Sequence, residues 1–309
     1  MHIKVFRLLL APILLLGLTA GCAPTSKETQ AASMGQPGTM AELLASMEKP
    51  GVIEFKKHVS GDWAIDLSGL LNLEHPKAKA AGLSDRVEPI QIFTYSLNHP
   101  TKGTYLVDSG LSKGFLDIQN NKELSYIVKM AMNTDLIKLH ITTGEISNQL
   151  GGIDGVFLTH IHMDHIMGLT DLGPEVAVYV GPGETTITNL TNAATRGTTD
   201  RLLGNVKALH EWQFGDSKLI DIFGDGSVWA IHSPGHTPGA TAYLANTTMG
   251  PQLMVGDATH TAWGWHNGVE AGTFSGNIPV SAISLARLKK LAGDVPGITA
   301  HPGHQAIDQ

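Results

Sequence analysis

Short apolar runs separated by polar, glycine-rich turns occupy residues 89–300 and predict a series of strands. PIQIFTYSL (89–97) and TYLVDSG (104–110), joined by a turn at residues 98–103, predict an antiparallel hairpin. GVFL (155–158), VAVYV (176–180), SVWAI (227–231), ATAYL (240–244), QLMVG (252–256) and GITA (297–300) each read as a further strand, and IKLHITTG (137–144) reads as extended. Helical spacing of apolar positions predicts helices over residues 40–49, 123–132 and 281–291. Strands alternating with helices, with no internal repeat, indicate an α/β layered domain.

Outside these elements the pattern weakens. Residues 51–88 predict one or two short helices broken at Pro76 and Gly82, either covering a pocket or forming a solvated extension. Residues 185–200 are polar and rich in threonine and asparagine, and residues 22–39 read as a flexible tether. The expected organisation is a leader at 1–21, the tether at 22–39, an extension at 40–88 and the main domain at 89–309.

The first residues change the picture of where the protein works. Lys4 and Arg7 precede an apolar run over residues 8–20 that ends in small residues before Cys22, the layout of a cleaved secretory signal peptide. The run is shorter than the roughly 20 residues a bilayer-spanning helix needs. LTAGC around the cleavage point resembles a bacterial lipobox, although Thr19 is unusual at its position. Cys22 is the only cysteine, so no internal disulfide forms, and the expectation is a lipid anchor on Cys22 holding the domain to the cell envelope. Without Lys4 and Arg7 the chain carries 19 basic against 28 acidic side chains, a net −9, which argues against a nucleic-acid backbone as partner. Sequons at Asn189 and Asn246 carry little weight in such a protein, and GPGE at 181–184 lacks the spacing of a dinucleotide fingerprint.

The candidate chemistry begins where the GVFL run ends. His160, His162, Asp164 and His165 form an HxHxDH cluster. His160 and His162, two apart on extended chain, project from one face and can grip one ion, whereas Asp164 and His165 point apart and suit a second. His236 in SPGHTPG, Asp257 after QLMVG and His301 after GITA also follow strands, and strand ends converge on one edge of such a domain. Imidazoles with carboxylates, leaving room for water, are the ligand set of a catalytic zinc site. Asp108 reads equally as a turn residue and as a partner behind the histidines. Trp263, Trp265 and Phe274 read either as walls of an apolar pocket or as core.

HxHxDH, PGHTPG, GD at a strand end and a final TAH resemble the metallo-β-lactamase fold superfamily over about residues 90–304. The resemblance implies a four-layered αββα sandwich with two zinc ions, His160, His162 and His236 holding the first, Asp164, His165 and His301 the second, and Asp257 bridging them. It implies a hydroxide between the ions as nucleophile, with Asp164 or Asp257 passing a proton to the leaving oxygen. True β-lactamases of the fold lack the bridging aspartate, and glyoxalase II adds a helical domain for which the eight residues after His301 leave no room. The chain is most similar to the N-acyl homoserine lactonases, which implies a small lactone or ester substrate. One departure is His260, where those enzymes typically carry a tyrosine; its imidazole either donates a hydrogen bond in the tyrosine's place or lies on the surface. Hydrolysis of a phosphotriester or β-lactam, and zinc binding without turnover, are the alternatives.

Overall fold

A computed structural model describes residues 23–186 and 190–307 of the chain. The expected leader, Cys22 and the sequon residue Asn189 lie outside the described residues. Among the described residues no helix is long and apolar enough to cross a membrane.

Two sheets face each other. The larger has eight strands in the order β1-β9-β8-β7-β5-β4-β3-β6: β1 (Thr29–Ala31), β3 (Glu54–Asp66), β4 (Val87–His99), β5 (Gly103–Val107), β6 (Lys138–Leu139), β7 (Gly155–Phe157), β8 (Ala177–Val180) and β9 (Leu209–Glu211). The smaller has six in the order β14-β13-β12-β11-β10-β2: β2 (Gln36–Pro37), β10 (Leu219–Asp221), β11 (Val228–His232), β12 (Thr241–Thr247), β13 (Gly250–Gly256) and β14 (Thr299–Pro302). With helices on the outer faces, this is the expected αββα sandwich.

Side-chain alternation explains why both sheets need cover on both faces. Along β7, Phe157 points into the apolar layer between the sheets while Val156 points the other way, under the helices of the larger sheet. On β8, Tyr179 takes the first direction and Val178 and Val180 the second. In the smaller sheet, Val228, Ala230 and Tyr243 face the inter-sheet layer, while Trp229, Ile231 and Leu244 face the helix Ile278–Asp294. Burying each of the larger aliphatic and phenylalanine side chains contributes about 1.5–3 kcal/mol.

Two expectations are corrected, and one helix lies where the pattern predicts no element. Residues 29–31 and 36–37 are not free tether: β1 pairs in parallel with β9, and β2 pairs antiparallel with β10, so this segment closes one edge of each sheet. Residues 51–88 contain the short helices Leu67–Leu70 and Pro76–Ala80, but their main element is β3, which pairs with β4 from Glu54 to Asp66. The polar stretch over 185–200 carries most of the helix Leu190–Leu203. The hairpin β4–β5 and the helices Met40–Met47 and Tyr126–Ala131 lie where the pattern predicts them.

Candidate metal centre

Six strand ends supply the site, all on one edge of the sandwich. Asp108 follows β5, the HxHxDH run follows β7, Glu184 follows β8, His236 follows β11, Asp257 follows β13 and His304 follows β14. Strand carboxyl ends are the usual ligand edge of α/β sheets.

The side chains form two groups that share one carboxylate. His160, His162, His236 and Asp257 offer one set of ligand atoms, and Asp164, His165, Asp257 and His304 the other, each set lying within 4.8 Å of one another. Asp257 Oδ2 lies 3.6 Å from His160 Nε2, 3.4 Å from His236 Nε2 and 3.3 Å from His165 Nε2. His304 Nε2 lies 3.2 Å from Asp164 Oδ2 and 3.4 Å from Asp257 Oδ1. His160 Nε2, His165 Nε2 and Asp257 Oδ1 are buried without a hydrogen-bond partner among the described residues. A folded chain rarely leaves such atoms unsatisfied, and converging imidazoles around a carboxylate are what a divalent cation would satisfy. The donor set therefore fits two ions.

The metal-free electrostatics follow from that crowding. Burial holds His160 and His236 well below the ordinary imidazole value, and neighbouring imidazoles add to the effect. Burial disfavours a charged His165 as well, but Asp108, Asp257 and Asp164 outweigh it and push that imidazole well up. His304 is pushed up to about 10 in the same way, burial being overcome by Asp257 and by its contact with Asp164. Against its own burial, Asp257 is held far below the usual carboxylate range by His260, His304 and His165.

One predicted ligand is corrected. His301 lies within β14, where its Nε2 and Gln252 Oε1 are 2.8 Å apart and its ring packs 5.5 Å from Phe55 and 5.3 Å from Tyr95, pointing between the sheets. The position expected for it is taken by His304. Beyond Pro302 the chain folds over the end of β13: Gly303 and His304 donate backbone N–H bonds to the carbonyls of Thr259 and His260. Only glycine fits at 303, because a Cβ there would lie 2.0 Å from Asp257 Oδ1.

Asp108 stands behind the histidines. Its Oδ2 accepts from His165 Nδ1 at 2.8 Å, and its Oδ1 accepts from the Thr159 backbone N–H at 2.7 Å, which fixes the ring that offers Nε2 to the site. Its backbone is left-handed, φ 55°, a strained position for a non-glycine residue beside a functional site. His260 is buried, not on the surface: its Nε2 is 3.0 Å from Asp257 Oδ2 and its ring stacks on His304.

Of the three aromatic candidates, Trp265 belongs to the core beneath the helix Ile278–Asp294, with Lys289 Nζ 5.0 Å over its ring, and Trp263 packs partly buried against the core of the larger sheet. Phe274 does line a cavity of about 150 Å³ that opens beside His162 and His236. Its ring lies over Gly69, where any side chain would collide with it, so the segment 51–88 helps shape this wall.

Glu184, like His304, is a residue that sequence reading missed. Fully buried, it accepts from Ile161 N–H at 2.9 Å through Oε2, and from Gly239 N–H at 2.9 Å and the Thr237 hydroxyl through Oε1. It thus ties the His160–His162 run to the turn that carries His236. Burial pushes its pKa up to about 7 against those hydrogen bonds. A raised carboxyl pKa stabilises the fold at low pH and loses that contribution as pH rises through the folded value. The metal-free protein is therefore expected to lose up to about 3 kcal/mol between pH 5 and pH 8 through this group. Urea midpoints of wild type and Glu184→Gln at both pH values read this directly, and an identical pH slope in the two proteins would refute it.

Residues 87–304 match the metallo-beta-lactamase superfamily. The chain belongs to that superfamily. Its fold carries a His/Asp metal-site cluster at the ligand edge. Among curated relatives, a gamma-lactamase of Gibberella moniliformis is 29% identical over 145 residues, 43% of this chain and 59% of that protein. An N-acyl homoserine lactonase of Azorhizobium caulinodans is 32% identical over 85 residues, 26% of this chain and 32% of that protein. The chain thus spans 59% or less of the length of these relatives. Among solved structures, a quorum-quenching N-acyl homoserine lactone lactonase superposes with a TM-score of 0.58 at 17% identity, covering 82% of this chain and 93% of that one. A probable metal-dependent hydrolase from Staphylococcus aureus gives 0.61 at 16% identity, covering 83% and 91%. At these identities the superpositions show the shared fold.

Proposed function

We propose that this metallo-beta-lactamase fold protein opens lactones or related esters with two divalent ions, most naturally zinc. The observation that carries the reading is the pair of ligand groups joined at Asp257. Lactonases among the solved structures of the same fold support the substrate class.

Bound divalent ions would supply Lewis-acid charge and lower the pKa of a water at this position. The chain's own residues do the rest. Asp164, whose Oδ2 is 3.2 Å from His304 Nε2, would accept the proton released on attack and return it to the leaving oxygen. His260 presents Nε2 to Asp257 Oδ2 at 3.0 Å and would hold that carboxylate in place. Ile161, Met163 and Phe274 line the cavity beside His162 and suit an apolar substituent.

The test is the zinc-loaded protein against lactones, aryl esters, phosphotriesters and lactams, with metal content read by elemental analysis. Lactone opening that disappears in Asp164→Ala is expected. Two ions per chain with no turnover of any substrate would overturn the hydrolytic reading, and fewer than one ion would overturn the metal reading. The gamma-lactamase relative makes a cyclic amide the second ring to try.

An envelope location belongs to the same proposal and rests on Lys4, Arg7, the apolar run and Cys22. Metabolic fatty-acid labelling should tag the wild type and not Cys22→Ala, and equal labelling would dispose of the anchor.

A further inference from the structure

The cavity beside His162 and His236 has a wall that comes from the far end of the chain. Pro24 lines it, buried, together with Phe274. The next three residues hold Pro24 in place. Asp200, on the helix Leu190–Leu203, accepts from the Thr25 hydroxyl, from the Ser26 backbone N–H at 2.7 Å and from the Ser26 hydroxyl at 2.8 Å. Lys27 Nζ then donates to the carbonyls of Gly204 at 2.9 Å and Val206 at 2.8 Å just past the same helix, and β1 continues along β9.

So many directed bonds on four residues are not what a solvated tether makes. Ordering a backbone residue costs about 1–2 kcal/mol, so the segment stays in place only because these bonds and the burial of Pro24 and Thr25 offset that cost. Pro24 itself offers a stiff, apolar surface with no N–H, facing a space otherwise lined by Ile161, Met163 and Phe274 on its apolar side. The metal-group residues His162 and His236 and the strap residue Pro24 line the same cavity. A substrate whose reacting carbonyl sits at the ligands and whose substituent enters this cavity meets Pro24.

We propose that residues 24–27 are a specificity element: a strap, locked by Asp200, that forms one wall of the substrate cavity and favours substrates carrying a medium or long alkyl chain on the ring. This rests on the reading of the metal groups as the hydrolytic site, and it names the part of the substrate that the remaining cavity holds.

The experiment uses the full zinc-loaded chain with two ring-opened probes, 4-hydroxydecanoate and 4-hydroxybutanoate, whose binding is measured by calorimetry without turnover. Amide exchange over residues 25–31 is monitored in parallel. In the wild type the decanoate probe should slow exchange in the strap while the butanoate probe does not. Asp200→Ala should raise the ratio of the long-probe Kd to the short-probe Kd roughly tenfold, as expected when a few methylenes lose their wall. Pro24→Trp, which fills the cavity and leaves the lock alone, should raise the same ratio, so a folding defect in one variant does not decide the matter. An unchanged ratio in both variants, or strap amides indifferent to the decanoate probe, overturns the proposal. A shifted ratio in a protein that opens no lactone leaves the strap standing and removes the lactone reading instead.

Discussion

Replacing Asp257 by alanine is expected to empty both metal groups at once. Its two oxygens face His160, His165, His236, His260 and His304, all within 3.6 Å, so one side chain serves both sets of ligands. Replacing a residue that merely supports a ligand typically costs about 10–100-fold in metal affinity or activity. Losing a ligand common to both ions should cost at least ~10²-fold in each, with metal content falling below one ion per chain. Asp257→Asn separates charge from shape: it keeps a carbonyl oxygen but removes the negative charge that offsets the crowded imidazoles. Elemental analysis and zinc titration against a competing chelator read both variants. If Asp257→Asn keeps two ions at wild-type affinity, the carboxylate is not shared and the two-group reading fails.

His304→Ala and His301→Ala should part company clearly. Without His304 the second group keeps Asp164, His165 and Asp257 but loses the imidazole that closes it, and content should fall to about one ion per chain with hydrolysis reduced at least ~10²-fold. Without His301 both ions should remain. That variant is expected to lose about 1–3 kcal/mol of stability instead, because Gln252 Oε1 loses its partner and the rings of Phe55 and Tyr95 lose their neighbour. Thermal melts with metal counts on both variants make the comparison. An ion lost from His301→Ala and two kept by His304→Ala would reverse the assignment. Zinc uptake should also release protons near neutral pH, since His304, held up to about 10 by Asp257 and Asp164 in spite of burial, must give up its proton to bind.

The same pair of histidines shows how far the sequence can be read. The rule that ligands follow strand ends is sound, and Pro302-Gly303 marks where β14 stops; applied strictly, it favours the histidine after the break. His301, inside the strand, fits the TAH resemblance better than the geometry. β7, β11, β12 and β13 are legible because strands covered on both faces are almost continuously apolar. β3 is not, since EFKKHVSGDWAID mixes charges into its alternation and carries a register shift between Val59 and Gly61. β1 and β2 have three and two residues, too few for any period to show. The helix Leu190–Leu203 is rich in threonine, a weak helix former, and tertiary packing rather than propensity holds it. Glu184 does carry a signal, an acidic residue just past a strand on the ligand edge. Only the structure shows that its carboxylate joins two ligand loops.

The pairing of β1 with β9 also orders events as the chain is made. The β3–β4 and β4–β5 hairpins join neighbouring segments and need little loop closure. Thr25 meets Asp200 across 175 residues of sequence, and Thr29 pairs with Leu209. A polypeptide emerging amino end first therefore carries this strap unpartnered until most of the domain has been synthesised. Loop-closure entropy places its docking among the last steps of folding, so this wall of the cavity closes after the sheets that carry the ligands have formed.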